Sequence, residues 1–365
     1  MIVLIILLAV FLSIFLQTFL YQKYWSTNMT AHSVFSEKAI SEGETAMIED
    51  ELTNDKMLPL PWVHFKFRIK ANGQTVFFEN ELFHILFHQR IRVKRNRTFS
   101  KRGIYQISEI DLVSYDLLLT KKLVATIPCD SRMVVYPALI DAEEMHIPYE
   151  NLMGDLVTKR FTNEDSYQFK SIREYRQGDT FKRINFKASA KTGEWQVNTY
   201  EYTLEPRVLL VLLCDRTLND ANESEYERAL HLAGTLAYWI EQQGIPTTLI
   251  SNGLRTESGE ELAVPTGCGD GHIQTIMEGL AGLHTEKIQR TCLEVLSDLE
   301  SEAEKNDFIV LLSPYRREEL IGKYQEMAEK LSISWISSLS ENRILNEDEA
   351  EDLDKQLQGF IYDRF

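Results

Sequence analysis

The 365-residue chain is short of the signatures that mark the common enzyme classes. It has no Gly-x-x-x-x-Gly-Lys loop to cradle a nucleotide, no Gly-x-Ser-x-Gly elbow, no His-Glu-x-x-His pair and no Gly-x-Gly-x-x-Gly after a strand. Cysteine is scarce too. Cys129, Cys214, Cys268 and Cys292 are scattered, form no Cys-x-x-Cys pair and offer no short disulfide framework, which suits a reducing compartment. Positive charge is outweighed, with 39 Lys and Arg against 55 Asp and Glu and a net charge of -16. That balance neutralises no phosphates overall and excludes a dedicated nucleic-acid binder. A long disordered tract is missing as well, and 44% hydrophobic with 26% charged residues describes a folded chain with room for two cores.

What is present begins with residues 1–20, an apolar run that only Ser13, Gln17 and Thr18 interrupt. At 1.5 Å per residue it just crosses a hydrocarbon layer of about 30 Å, which predicts a membrane helix over 1–22. A cleaved signal peptide fits less well: no Lys or Arg precedes the run, and Leu20-Tyr21-Gln22-Lys23 is a poor cleavage site. Lys23 after the span places the rest of the chain in the cytoplasm by the positive-inside rule, so we expect a single-pass membrane protein in contact with lipid.

Between residues 38 and 136, short apolar or alternating runs are broken by Pro59, Pro61, Asn72-Gly73 and Arg102-Gly103, predicting an antiparallel β-sandwich over 23–140. The runs are TAMIEDEL, WVHFKFRI, ENELFHILFHQRIRV, RGIYQISEIDLV and MVVYP. His84 and His88 stand four apart, but no Glu follows His84 and no third ligand lies near; they read as strand residues rather than a zinc pair. Residues 90–102 carry Arg90, Arg92, Lys94, Arg95, Arg97, Lys101 and Arg102 without an acid. They can lean on anionic lipid, but the preferred reading is one solvated face of a strand pair matched by acids elsewhere.

Beyond residue 206 the period changes. Residues 207–214 form a continuous apolar run of the kind a buried parallel strand shows, and 245–250, 308–312 and 333–337 read as further strands. Helices are predicted over 223–242, 272–283, 286–304, 316–331 and 347–358, with Gly244 as a stop for the first. The alternation predicts a doubly wound, Rossmann-like α/β domain over 206–365. The acidic stretch 347–354 reads as a solvated helix face.

Residues 173–201, REYRQGDTFKRINFKASAKTGEWQVNTYE, combine fixed charges, aromatics and a Gly-Asp turn. The positions Arg173, Tyr175, Gly178, Asp179, Arg183, Ile184, Asn185, Ser189 and Ala190 match the hallmark of the family called domain of unknown function 58, which this chain resembles; Phe186 stands where the family usually has Trp. The hallmark lies in a junction segment over 141–205. The resemblance implies a closing von Willebrand factor A-like domain, a cytoplasmic MoxR-type AAA+ ATPase as partner, and commonly two membrane helices, of which one is visible here. Such A domains bind a divalent cation through Asp-x-Ser-x-Ser. Here the motif reads Asp215, Arg216, Thr217, Leu218, Asn219, so Asp215, Thr217 and Asn219 keep oxygen ligands for Mg²⁺. Arg216 beside them and Ser313-Pro314 in a later loop count against a working site, and Thr266 is recommended only by its place in a loop.

The loop Gly267-Cys268-Gly269-Asp270-Gly271-His272 sets a thiol, a carboxylate and an imidazole close in sequence, but nucleophilic catalysis needs them in contact. A flexible loop with Asp270 capping the next helix is the simpler reading. The expected function is a membrane-anchored, non-enzymatic adaptor of that ATPase, without cofactor or small-molecule substrate. Two alternatives remain open: an envelope-associated hydrolytic or redox enzyme, and an extracellular metal-dependent adhesion module.

Overall fold

The computed structural model describes residues 2–140, 169–176, 181, 184–200, 207–214, 223–304, 307–314, 316–337 and 344–345. The chain divides into two compact units, Met1–Ala138 with Leu280–Leu283, and Leu139–Gly279 with His284–Phe365.

The first unit opens with helix α1 (Ile2–Tyr24), apolar on every face, whose side chains up to Leu16 are exposed. It is long and apolar enough to cross a membrane. Eight strands come after it: β1 (Met29–Phe35), β2 (Ala39–Ser41), β3 (Thr45–Asn54), β4 (Leu60–Ala71), β5 (Gln74–Ile85), β6 (Gln89–Thr98), β7 (Gly103–Tyr115) and β8 (Lys122–Tyr136). They form one sheet ordered β1-β3-β6 and another ordered β2-β8-β7-β4-β5. Alternation sends Ile48, Leu52, Phe65, Ile69, Ile107 and Leu112 into a shared core, which also takes in Tyr21 and Trp25 from the end of α1 and the residues after it. Burying each such side chain contributes about 1.5–3 kcal/mol. Asn72 and Gly73 both have positive φ, the backbone a tight β4–β5 hairpin requires.

Two expectations need correction in this unit. The run ENELFHILFHQRIRV is two strands, β5 and β6, which belong to different sheets and are joined by a turn at residues 86–88 in which His88 takes φ 50°. His84 is on β5 and its Nδ1 meets the Pro61 carbonyl, while His88 lies in the turn with its ring 3.1 Å from Asp55 Oδ1. The basic run fits the solvated-face reading only in part: Arg90, Arg92 and Lys94 share the exposed face of β6, whereas Arg95 and Arg97 are half-buried on its other face and Arg102 is buried. β6 pairs with β3 so that Arg92 faces Glu51 and Lys94 faces Glu49. Arg90 and Arg92 grip Glu51 at 2.5 and 2.8 Å, Arg92 reaches Glu49 at 2.7 Å, and Arg95 lies between Asp50, Glu79 and Glu81.

The second unit continues with β9 (Phe169–Glu174), α2 (Phe186–Thr192), β10 (Gln196–Tyr200), β11 (Val208–Leu212), α3 (Glu223–Gln242), β12 (Thr247–Arg255), β13 (Glu261–Gly267), α4 (Asp270–Ala281), β14 (Leu283–Ile288), α5 (Cys292–Glu302), β15 (Phe308–Ser313), β16 (Arg316–Arg317), α6 (Glu318–Lys330), β17 (Ser332–Ser337) and β18 (Ile344–Leu345). The main sheet has the order β13-β12-β11-β15-β17, with β14 also paired to β12. β11, β12, β15 and β17 are parallel and β13 is antiparallel. Every residue of β11 and β15 is buried, as expected of strands covered on both faces. Gly244 ends α3 with φ 67°. The single helix expected over 286–304 is corrected: β14 occupies 283–288, and a Thr291–Glu294 capping box starts α5 only at Cys292. β13 was not expected at all, since Pro265 and Gly267 mask its alternation. The helix expected over 347–358 and the acidic stretch 347–354 lie outside the described residues.

Candidate functional site

β9 and β10 pair antiparallel, Glu174 opposite Gln196 and Arg173 opposite Val197, with α2 carried between them. The helix starts where it does because Asn185 caps it: Asn185 Oδ1 accepts from the Ala188 N–H at 2.9 Å. The same amide donates from Nδ2 to Asn198 Oδ1 at 2.7 Å, tying the cap to β10. Ser189 completes the tie, donating its hydroxyl to the Asn185 carbonyl and accepting from the Gln196 N–H, both at 2.9 Å. Gly193 ends the helix at φ 78° and donates to the Ser189 carbonyl, turning the chain straight into β10. Ile184, bridged to Val197, supplies the small buried core beneath.

The hallmark residues therefore divide. Ile184, Asn185 and Ser189 are scaffold; Ala190 lies on the exposed side of α2. Arg173 is half-buried and donates to the Glu174 carbonyl at 3.0 Å. Tyr175 donates its backbone N–H to Trp195 O at 2.8 Å, and its ring lies 6.1 Å from that of Phe181. Gly178, Asp179 and Arg183 lie outside the described residues.

What the scaffold displays is aromatic. Phe181, Phe186 and Trp195 are 73%, 69% and 55% exposed, and Phe186 meets Trp195 edge to face at 6.3 Å. Arg176, Lys187 and Lys191 are exposed on the same short motif. Phe186 at the usual Trp position thus stands at the surface, where it packs on a neighbouring ring. Trp195 was not singled out from the sequence; its signal was an indole immediately after a Gly193-Glu194 turn. Exposed aromatics beside cations on a braced hairpin are suited to gripping an acidic, partly apolar protein surface.

At the carboxyl end of the parallel sheet the strands converge as expected, with a different residue in charge. Asn252 is fully buried; its Oδ1 accepts from the Cys214 N–H and its Nδ2 donates to the Cys214 carbonyl, both at 2.7 Å, and also to the Arg290 carbonyl at 3.0 Å. Arg290 in turn grips Glu261 and Asp298, and these carboxylates stabilise its charge. Asp215, Thr217 and Asn219, with Arg216, lie outside the described residues. Thr266 does not converge here: it is on β13 and hydrogen-bonds Thr248, near the opposite end of β12. Ser313 accepts from Trp335 Nε1 at 2.8 Å.

The Cys268 loop is followed by an imidazole fixed against the start of β12. His272 Nε2 lies 2.8 Å from the Thr247 carbonyl, which only accepts, so that nitrogen carries a proton and cannot serve as a base. Asp270 is the first residue of α4 rather than its cap, and Gly269 N–H is held by Glu241 at 2.6 Å.

A chain with an apolar N-terminal helix, a β-rich unit and a parallel-sheet unit joined to an aromatic hairpin is the class that these observations define. Residues 171–335 match the family described as protein of unknown function DUF58, from the hairpin through β17, which supports the resemblance read from the hallmark. No curated protein matches the chain. Among solved structures, the CARDB domain of a Pyrococcus furiosus protein is 17% identical, covering 28% of this chain and 92% of its own, with a TM-score of 0.21. The PapD-like domain 7 of human CEP192 is 14% identical over 30% and 87%, with a TM-score of 0.21. The bacterial hydrophobin BslA is 14% identical over 29% and 92%, with a TM-score of 0.20.

Proposed function

We propose that this protein is a membrane-anchored, non-enzymatic adaptor whose hallmark hairpin docks a cytoplasmic MoxR-type AAA+ ATPase. The observation that carries the reading is the exposed Phe181, Phe186 and Trp195 set on a hairpin braced by Asn185 and Ser189. Water-exposed aromatic rings are costly unless covered by a partner, and rigid ones lose little entropy when they are.

The apolar α1 supports the membrane address, and Lys23 at its end supports a cytoplasmic location for the remainder of the chain. The two sheets of the first unit are read as a β-sandwich. The sheet order β13-β12-β11-β15-β17 with one antiparallel edge strand supports a von Willebrand factor A-like reading of the second. In this scheme the ATPase supplies the work of nucleotide hydrolysis, and this chain supplies a fixed place at the membrane from which a client is presented. Mg²⁺ at Asp215, Thr217 and Asn219 is not required by it.

The test is recovery of the partner. Wild type crosslinked in its native membrane and isolated in mild detergent copurifies with an AAA+ ATPase, whereas Trp195→Ala with Phe186→Ala, folded as wild type by circular dichroism, does not. Equal recovery with both forms would remove the hairpin from the interface, and no ATPase with either would remove the adaptor reading.

A further inference from the structure

The β strands of the first unit have two ends, and their turns differ in kind. At one end, residues 42–44, 72–73 and 100–102 read Glu-Gly-Glu, Asn-Gly and Ser-Lys-Arg. At the other, where α1 enters, the β3–β4, β5–β6 and β7–β8 connections carry Met57, Leu86 with Phe87, and Leu117, Leu118 and Leu119. Met57 is 75% exposed and each of the others is about half exposed. Leu119 adopts φ 57°, a backbone that glycine or asparagine enters far more readily than leucine.

These connections are fastened to α1 and to one another. Asp116, fully buried, accepts from Gln17 Nε2 at 2.7 Å and Thr18 Oγ1 at 3.3 Å, so the leucine turn starts beside the last turn of the apolar run. Tyr21 OH donates to the Pro59 carbonyl at 2.7 Å. Asn54 Nδ2 donates to both the Leu58 and Leu86 carbonyls, at 2.9 and 2.8 Å, and His88 N–H to the Lys56 carbonyl. Gln17 and Thr18 precede the end of the run at Leu20 by two or three residues, about 3–5 Å along the helix axis. If α1 spans a bilayer, that depth is the boundary between headgroups and acyl chains.

Resting on the reading of α1 as a membrane span, we propose that the three connections form a collar that sits in the interfacial layer of the membrane around the base of the helix. The occupant of this apolar rim is lipid, because the rim is continuous with the lipid-facing helix. Lys23, Lys121 and Lys122 are exposed on the same side and suit anionic headgroups. A collar of this kind fixes the tilt of the whole β unit on the membrane, which a lone helix on a flexible linker does not.

The test places photoreactive benzoylphenylalanine singly at Leu118, Phe87, Phe78 and Phe11 of the full chain, reconstituted in vesicles of phosphatidylethanolamine and phosphatidylglycerol. Phe78 is as exposed as Phe87 but lies seven residues down β5 from Ile85, about 23 Å away. Lipid adducts at Leu118 and Phe87 at least about fivefold above those at Phe78 are the expected result, with strong adducts at Phe11 as well. Adducts at Phe11 but background levels at Leu118 and Phe87, or adducts there to a second copy of the chain, would overturn the collar and leave the span standing. No lipid adduct even at Phe11 would overturn both.

Discussion

β11 and the hallmark hairpin are neighbours in the chain and opposites in physics. Val208, Leu209, Leu210, Val211 and Leu212 are all buried, and they hold the sheet by filling space. Earlier in the chain, Phe186 and Trp195 leave more than half their surface in water, and what holds the hairpin is a set of hydrogen bonds through Asn185 and Ser189. Apolar residues serve stability in the first case and stand at the surface in the second. The contrast separates what folds the protein from what it leaves in water.

That contrast can be broken in graded steps. Leu210→Ala or Leu311→Ala, in the centre of β11 and β15, should lower unfolding stability by about 2–5 kcal/mol in denaturant titrations, through lost burial and an unfilled cavity. Asn252→Ala removes no large apolar group, yet it takes away the acceptor of the Cys214 N–H and one of the donors to its carbonyl, which keeps the Cys292 thiol. The expected loss is about 1–3 kcal/mol in the same titration. Asn185→Ala should cost about 1 kcal/mol, confined to the hairpin, and hydrogen exchange at Ala188 and Gln196 would report it. At the bottom of the scale, Phe186→Ala and Trp195→Ala should change stability by less than about 0.5 kcal/mol. A loss there as large as for Leu210→Ala would collapse the distinction.

The first unit adds a pH handle. Burial alone raises the Asp116 carboxyl, but hydrogen bonds from Thr120, the Lys121 N–H and Gln17 outweigh it and hold the group down at about 2, below the ordinary 3.8. A depressed carboxyl contributes stability that is full above the unfolded value and lost as pH falls through the folded one. Acid titration should therefore loosen the join between α1 and the β7–β8 turn between about pH 4 and pH 2. Asp116→Asn should flatten that part of the profile.

Much of this architecture was legible beforehand, for physical reasons that differ by region. The parallel strands announced themselves because burial on both faces needs unbroken apolar runs, and residues 208–214 and 308–312 are such runs. α3 was delimited because Gly244 stops it. The reading failed where local signals conflict: β13 carries Pro265 and Gly267, and residues 286–288 look helical until Thr291 and Glu294 are recognised as a cap. The hairpin was found from its spacing, but the roles within it were not. Charge drew attention to Arg173 and Arg183, whereas Asn185 and Ser189 do the bracing and the unremarked Trp195 stands at the surface. A side chain's role there depends on partners on β10, Gln196 for Ser189 and Asn198 for Asn185, 7 and 13 residues away, which spacing does not give. The same holds for Asn252, whose partners Cys214 and Arg290 are each 38 residues away.

The most direct measurement is quantitative mass spectrometry of the proteins that crosslink to the hairpin in the native membrane, comparing wild type with Phe186→Ala/Trp195→Ala at equal expression. The account predicts an AAA+ ATPase among the wild-type crosslinks, reduced at least about tenfold in the folded double variant, as expected when central aromatic anchors are lost. Undiminished capture of the ATPase by the variant would contradict the claim that this hairpin is the docking surface.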